Sequence, residues 1–275
     1  MKHIFFRNHG FGDSIWAEPI VRFFVGQGEE VSLYIKHSCI FDRYPTDRLF
    51  INQPEKLFPL TEEPISLRFE KYPQMHYLEC FRKQAGIPEL ELTLPRLYLS
   101  EEEKTNLFPQ PYVILHLDYY TELYNYRNAY NIDWKEVVSF LNKEGYAVYQ
   151  ISKKNQKHVS PWLPTKDFRE IMSVLYNAAL FIGLDSGPSH IASVFEIPSV
   201  IFLGSVNPYF RHLNSQNKIF LQSPCSHPHC YHELPDTFGQ SCRLIKENEK
   251  PPCCIHDTEK VIKAVFSLLK KEKIL

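Results

Sequence analysis

No run of apolar residues in this 275-residue chain reaches the roughly 20 that a helix needs to cross a bilayer. The opening Met1-Lys2-His3-Ile4-Phe5-Phe6-Arg7 is too short and too soon interrupted to read as a signal peptide. Charge excess is missing as well. With 31 basic and 32 acidic side chains the net charge is -1, which leaves no global electrostatic case for nucleic acid or an anionic membrane. One local basic face, Lys153, Lys154, Lys157 and His158, is the exception to follow. Internal repeats and low-complexity segments are also absent. What is there is ample apolar material: 44% hydrophobic residues are enough for packed cores in one large domain or two ordinary ones.

The amino terminus reads as strand, loop and helix. His3 to Arg7 is a short apolar strand, Asn8-His9-Gly10-Phe11-Gly12-Asp13 a tight loop, and Ser14 to Val25 carries apolar residues at helical spacing. As a dinucleotide fingerprint the loop fails. Gly10-Phe11-Gly12 lacks the third glycine, and the next strand, Val31 to Ile35, ends at Lys36 where an acidic residue is needed. Read alone, Asp13 is most simply a helix cap. A strand near Leu49–Ile51 and a helix near Met75–Ala85 follow, in a stretch broken by seven prolines between positions 45 and 95.

Ser100-Glu101-Glu102-Glu103-Lys104 resembles a capped helix start, and Pro109-Gln110-Pro111 closes a linker. Beyond it strands and helices alternate: strand Tyr112–Leu117, helix Trp134–Lys143, strand Ala147–Ile151, helix Phe168–Ala178, strand Leu180–Gly183, helix Ser189–Glu196 and strand Ser199–Leu203. Such alternation predicts a parallel sheet covered on both faces, with ligands at the carboxyl ends of its strands. The expected division is 1–105 and 106–275. A closing amphipathic helix, Asp257 to Lys271, presents Val261, Ile262, Val265 and Leu268 or Leu269 on one face.

The richest segment is Phe181-Ile182-Gly183-Leu184-Asp185-Ser186-Gly187-Pro188-Ser189-His190. It leads an apolar strand through a polar loop into a helix, where unpaired N–H groups of the first turn accept an anion such as phosphate. A capped turn, with Gly187 permitting the bend, is the competing reading. His190 favours a ligand, because a histidine in the first turn gains nothing as a cation from the helix dipole.

Continued through Phe195-Glu196-Ile197-Pro198 to Phe202-Leu203-Gly204-Ser205-Val206-Asn207-Pro208, this segment resembles the donor-binding region of glycosyltransferase family 9, the heptosyltransferase family of lipopolysaccharide synthesis. That family shows a strand, D-S-G-P-x-H, a short helix and a second strand ending in F-G-x-x-x-P; here Leu203-Gly204 stands for Phe-Gly. Gly12, Asp13 and Pro19 match the family's opening. The resemblance implies an α/β protein of GT-B type, two Rossmann-like lobes with the active site in the cleft between them. It further implies an inverting glycosyltransferase, with Asp13 as the general base at the acceptor hydroxyl. Gly12, Asp185, Ser186, Gly187, Pro188, Ser189, His190 and Ser205 would then bind the donor. The amides of Ser186, Gly187 and Ser189 would meet its diphosphate. The implied partners are a nucleotide-sugar, an ADP-sugar first, and a glycan or lipid-linked glycan acceptor, with no nucleic acid. The implied placement is cytoplasmic, with a peripheral position at the inner membrane face as its variant. In two-lobed relatives a terminal helix often packs back onto the first lobe.

Two departures stand out. The family's lysine after the first strand of the second lobe is missing; Arg127 is the cation available, and its fork suits phosphate. Where an acidic residue often meets the ribose, the chain has Ser152-Lys153-Lys154, which puts the adenine-linked donor in doubt. Acceptors such as a protein, or a modified base in DNA reached through the aromatic Tyr119–Tyr130 loop, remain alternatives, as do an epimerase and a non-catalytic descendant.

Seven cysteines form the second constellation. Cys39 and Cys80 read as buried apolar residues. Cys225, Cys230, Cys242 and Cys253 or Cys254 lie in a loop rich in proline and histidine, spaced as soft metal ligands often are, with His227, His229 and His232 as substitutes. The expectation is a structural zinc or iron there and no cofactor for catalysis.

Overall fold

The computed structural model describes residues 1–8, 10–56, 63–117, 126–152, 158–213, 216–233, 242–246 and 249–272. The first lobe is a four-stranded parallel sheet of order β3-β2-β1-β4, built from β1 (Lys2–Phe6), β2 (Val31–Tyr34), β3 (Leu49–Ile51) and β4 (Ile65–Leu67). Its helices are α1 (Phe11–Ile15), α2 (Glu18–Gly26) and α3 (Tyr77–Gln84). The single helix expected over Ser14–Val25 is two. Pro19 has no N–H to donate to the preceding turn, so it starts α2 instead of continuing α1. Strand β4, only three residues long and directly after Pro64, is the strand of this lobe that the sequence pattern missed.

The second lobe is a five-stranded parallel sheet of order β6-β5-β7-β8-β9. Its strands are β5 (Tyr112–His116), β6 (Ala147–Gln150), β7 (Leu180–Leu184), β8 (Ser199–Phe202) and β9 (Lys218–Leu221). Helices α4 (Trp134–Lys143), α5 (Phe168–Tyr176), α6 (Gly187–Val194), α7 (Pro208–Arg211) and α8 (Thr258–Glu272) complete it. Strand β7 is buried along its whole length, as a central strand covered on both faces must be. One face packs on α4 and α8 through Val113, Leu141, Ile182, Val261, Val265 and Leu268. Helix α8 therefore covers the second sheet, where, among the described residues, its apolar stripe completes the outer face beside α4, and not the first lobe as a terminal helix often does.

The other face of this sheet shares one apolar cluster with the first lobe, running from Ile4 and Leu33 through Phe11 and Ile15 to Ile191, Phe181 and Ile201. Helices α1 and α6 meet at that junction. The segment at Ser100 is a turn closed by a reciprocal cap: Ser100 N–H donates to Glu103 Oε2 at 2.7 Å and Glu103 N–H to Ser100 Oγ at 3.2 Å. Arg169 of α5 grips Glu103 with two bonds and also donates to the Tyr98 carbonyl at 3.0 Å. This pairing holds the Glu103 carboxyl down to about 2. Among the described residues no helix is long and apolar enough to cross a membrane.

Candidate active site

Residues at the carboxyl ends of β1, β4, β5 and β7 line one cleft of about 560 Å³ between the lobes, where ligands of open parallel sheets bind. The loop after β1 is pinned by Asn8, whose side-chain N–H donates to both Glu70 oxygens at 2.8 and 2.9 Å while its oxygen accepts from Phe69 N–H. Helix α1 then carries Asp13 into the cleft. The residue at the helix N-cap is Gly10, so Asp13 is no cap. Its Oδ1 accepts a hydrogen bond from the Tyr77 hydroxyl of α3. Burial raises the Asp13 pKa above the ordinary carboxylate range; Tyr77, Arg211 and Arg127 oppose that rise, and Glu70 adds to it. Gly12 is required by closeness: a β-carbon there would collide with the His190 ring of the opposite lobe.

Across the cleft, β7 delivers Asp185, 2% exposed, at its carboxyl end. Asp185 Oδ1 accepts from His212 Nε2 at 3.0 Å and lies 3.7 Å from His190 Nε2; Arg127 Nη1 stands 3.8 Å from Oδ2. Burial opposes its charge, but the His212 bond, Arg127 and the imidazoles prevail and hold the carboxyl well below its usual range. The Trp16 indole N–H donates to His190 Nδ1 at 3.3 Å, bridging the lobes. Nδ1 is thus an acceptor, and burial pushes the His190 pKa well below normal, so this imidazole is neutral with its proton on Nε2. His116 of β5, pushed by burial down to about 4, meets Ser186 Oγ at 3.1 Å.

Residues 126–237 match the model of glycosyltransferase family 9 (heptosyltransferase). That stretch, less than half of the chain, is similar to family 9. The autotransporter heptosyltransferase Aah of Escherichia coli is 32% identical over 127 residues, a stretch covering 42% of this chain and 31% of that protein. The iron-containing dodecameric glycosyltransferase TibC of enterotoxigenic E. coli superposes with a TM-score of 0.75 at 20% identity, over 99% of this chain and 79% of that one. E. coli ADP-heptose lps heptosyltransferase II gives 0.60 at 13%, over 99% and 100%. These structural likenesses show the two-lobed GT-B fold.

The structure gathers Gly12, Asp13, Asp185, Ser186, Gly187, Pro188 and His190, together with Arg127, around one cleft. Ser189 is buried behind it and serves the helix cap. Its Oγ accepts from Ser186 N–H at 3.1 Å and its N–H donates to the Ser186 carbonyl at 3.0 Å. Of the three amides expected to face a diphosphate, only that of Gly187 is outside these bonds. Ser205 does not line the cleft; it lines a separate cavity beside the cysteines. Gly204 directs it there, in the left-handed region at φ 54° and so near the Tyr126 carbonyl that a β-carbon would collide. Tyr77, His116, Arg211, His212 and Tyr231 were not foreseen, and no local motif marks them. Residues 118–125 of the aromatic loop and Lys153, Lys154 and Lys157 lie outside the described residues; His158 stacks on Trp162.

Cys225, Cys230, Cys242 and Cys253 line that second cavity, of about 20 Å³, with Ser205. Cys254 is buried outside it, its sulfur 3.8 Å from that of Cys253. Hydrogen bonding from Cys254 lowers the Cys253 pKa despite burial, while burial pushes Cys230 up to about 11. The four sulfurs are not gathered tightly. Among the described residues, the only group of three or more ligand atoms within 4.8 Å of one another is Asp185, His190 and His212. Tyr231 lines both the cysteine cavity and the cleft.

Proposed function

We propose that the chain is an inverting glycosyltransferase that moves heptose or a related sugar from an ADP-sugar to an acceptor hydroxyl. The observation that carries this reading is the opposition of Asp13 and the Asp185–His190 group across one buried cleft. Asp13, its pKa raised by burial, takes the acceptor proton as that oxygen attacks the anomeric carbon. Arg127 and the Gly187 amide at the start of α6 receive the charge that develops on the leaving diphosphate. Neutral His190 and His116 offer hydrogen bonds to donor oxygens. We infer that 1–105 is the acceptor lobe and 106–275 the donor lobe. TibC has been crystallised with ADP-D-beta-D-heptose, and that structure resembles this chain with a TM-score of 0.73 at 18% identity, which supports the choice of donor.

The first acceptor class is a glycan of lipopolysaccharide type, handled at the inner membrane face. The resemblance to a protein named autotransporter heptosyltransferase favours a second, a protein hydroxyl. Incubation with ADP-heptose and either a core-glycan fragment or an autotransporter passenger fragment, read by mass spectrometry, tests both. One added heptose on either acceptor supports the reading, and none on both overturns it.

We further infer a structural iron or zinc held by Cys225, Cys230, Cys242 and Cys253. Thiolates are soft ligands, the cavity has room for an ion-sized occupant, and the Ser205 hydroxyl is buried there with no partner among the described residues. The relative TibC is described as iron-containing. Asp185 Oδ1 and His212 Nε2 bond each other, His212 Nδ1 meets Ser193 and His190 Nδ1 accepts from Trp16, which leaves His190 Nε2 to face a donor oxygen, so we read the three as a donor-orienting network.

A further inference from the structure

Arg211 ends helix α7 in the second lobe, yet its side chain is buried against the first. The guanidinium carbon lies 4.1 Å from the ring centre of Tyr77, 4.5 Å from that of Phe69 and 5.3 Å from that of Tyr231. The residue is 1% exposed. Its Nη1 donates to the Phe210 carbonyl at 3.2 Å, while Nε and Nη2 have no hydrogen-bond partner among the described residues. Ring faces attract a desolvated cation, but they do not replace the hydrogen bonds that water gave it. A guanidinium kept on such terms calls for a reason other than stability.

That reason lies one contact away. The Tyr77 ring that Arg211 covers carries the hydroxyl that donates to Asp13 Oδ1. We propose that Arg211 is a positioning residue for sugar transfer: it reaches across the lobe junction, clamps the Tyr77 ring, and so orients the Asp13 carboxylate and supports its charge. The base in one lobe is then set up only when the other lobe is docked against it. This rests on the reading of Asp13 as the base.

Other groups that act on Asp13 come from both sides. Tyr77 and Glu70 belong to the first lobe and Arg127 to the second. His190, packed against Gly12, is neutral. Of the two cations, Arg127 also pairs with Asp185, whereas the guanidinium of Arg211 lies directly on the ring that bonds the base.

The test is the titration of the Asp13 carboxyl itself, by carbon NMR of the full chain labelled at aspartate, assigned by its loss in Asp13→Asn. Arg211→Gln should raise the titration midpoint by about one pH unit, and Arg211→Lys by less, since the charge stays and the flat clamp goes. Tyr77→Phe should also raise it, and in that background either Arg211 substitution should add little. Arg211 variants that titrate within about 0.3 unit of the wild type, or shifts that add in full to that of Tyr77→Phe, would overturn the proposal. A purely structural clamp would lower the melting temperature and leave the midpoint alone. Should Arg211→Gln not fold, the Lys variant in the two Tyr77 backgrounds decides by the same criteria. No acceptor or transfer assay enters the titration, so its outcome is separate from that of the proposed reaction.

Discussion

Asp13 and Asp185 are both buried carboxylates, and their surroundings drive them apart. Burial dominates at Asp13 and raises its pKa, while His212 and Arg127 at Asp185 outweigh burial and lower it. A base works only when ionised. As the pH falls through the raised pKa of Asp13, transfer should therefore fade earlier than an ordinary carboxylate near 4 would allow. A profile of kcat/KM against pH checks this, and an acid limb at or below pH 4 would contradict it. Gly12 is the other residue whose role is set by space. Gly12→Ala should drive α1 away from His190 and cut transfer by at least about ten-fold, with the second lobe still folded by circular dichroism. The run from Asp185 to His190 was legible as a polar loop after a buried strand, whereas Asp13 read alone as a helix cap and gained its role only from the family resemblance. Tyr77, Arg211 and His212 were not legible, since only the packing of the two lobes and the return of α7 bring them to those carboxylates.

At the scale of elements, the second lobe was the more readable half. Tyr112–Leu115 and Leu180–Leu184 are apolar because both strands are covered on both faces, and the helices between them keep a clear apolar stripe. Strands β4 and β9 were missed: β4 has three residues, and β9 opens with a buried lysine, Lys218. The last helix was legible as a helix but not in its docking, since one apolar stripe fits either lobe. Its packing on α4 and the second sheet has a measurable consequence. Leu268→Ala, at 2% exposure, should cost about 2–4 kcal/mol by denaturant unfolding. A loss under about 0.5 kcal/mol would mean that α8 is not seated on that sheet. At the cysteine loop, chelation should lower the melting temperature, and metal analysis of protein purified without added metal should find close to one ion per chain. Metal-free protein of unchanged stability would remove the site.

For the whole molecule, the concentration of buried neutral histidines sets the response to acid. Burial lowers the pKa of His116 and His256 to about 4 and of His76 and His232 to about 3, and depresses His190 and His212 as well. A base whose folded pKa is depressed binds more protons when unfolded. The stability is therefore complete above the unfolded value near 6.5 and drains as the pH falls toward 4, at up to about 1.4 kcal/mol per pH unit for each histidine. Melting temperatures at pH 7.5, 6 and 5 should fall in that order; a flat profile would mean that these rings are hydrated.

The central claim is a division of labour, with donor binding in the second lobe and the acceptor base in the first. Calorimetric titration with ADP-heptose of the wild type, Asp13→Asn and Asp185→Ala tests it most directly. The account predicts that Asp13→Asn binds within about three-fold of the wild type, since its loss belongs to the acceptor proton, while Asp185→Ala binds at least about ten-fold more weakly. Equal affinities in all three proteins, or no heat from the wild type, would contradict it.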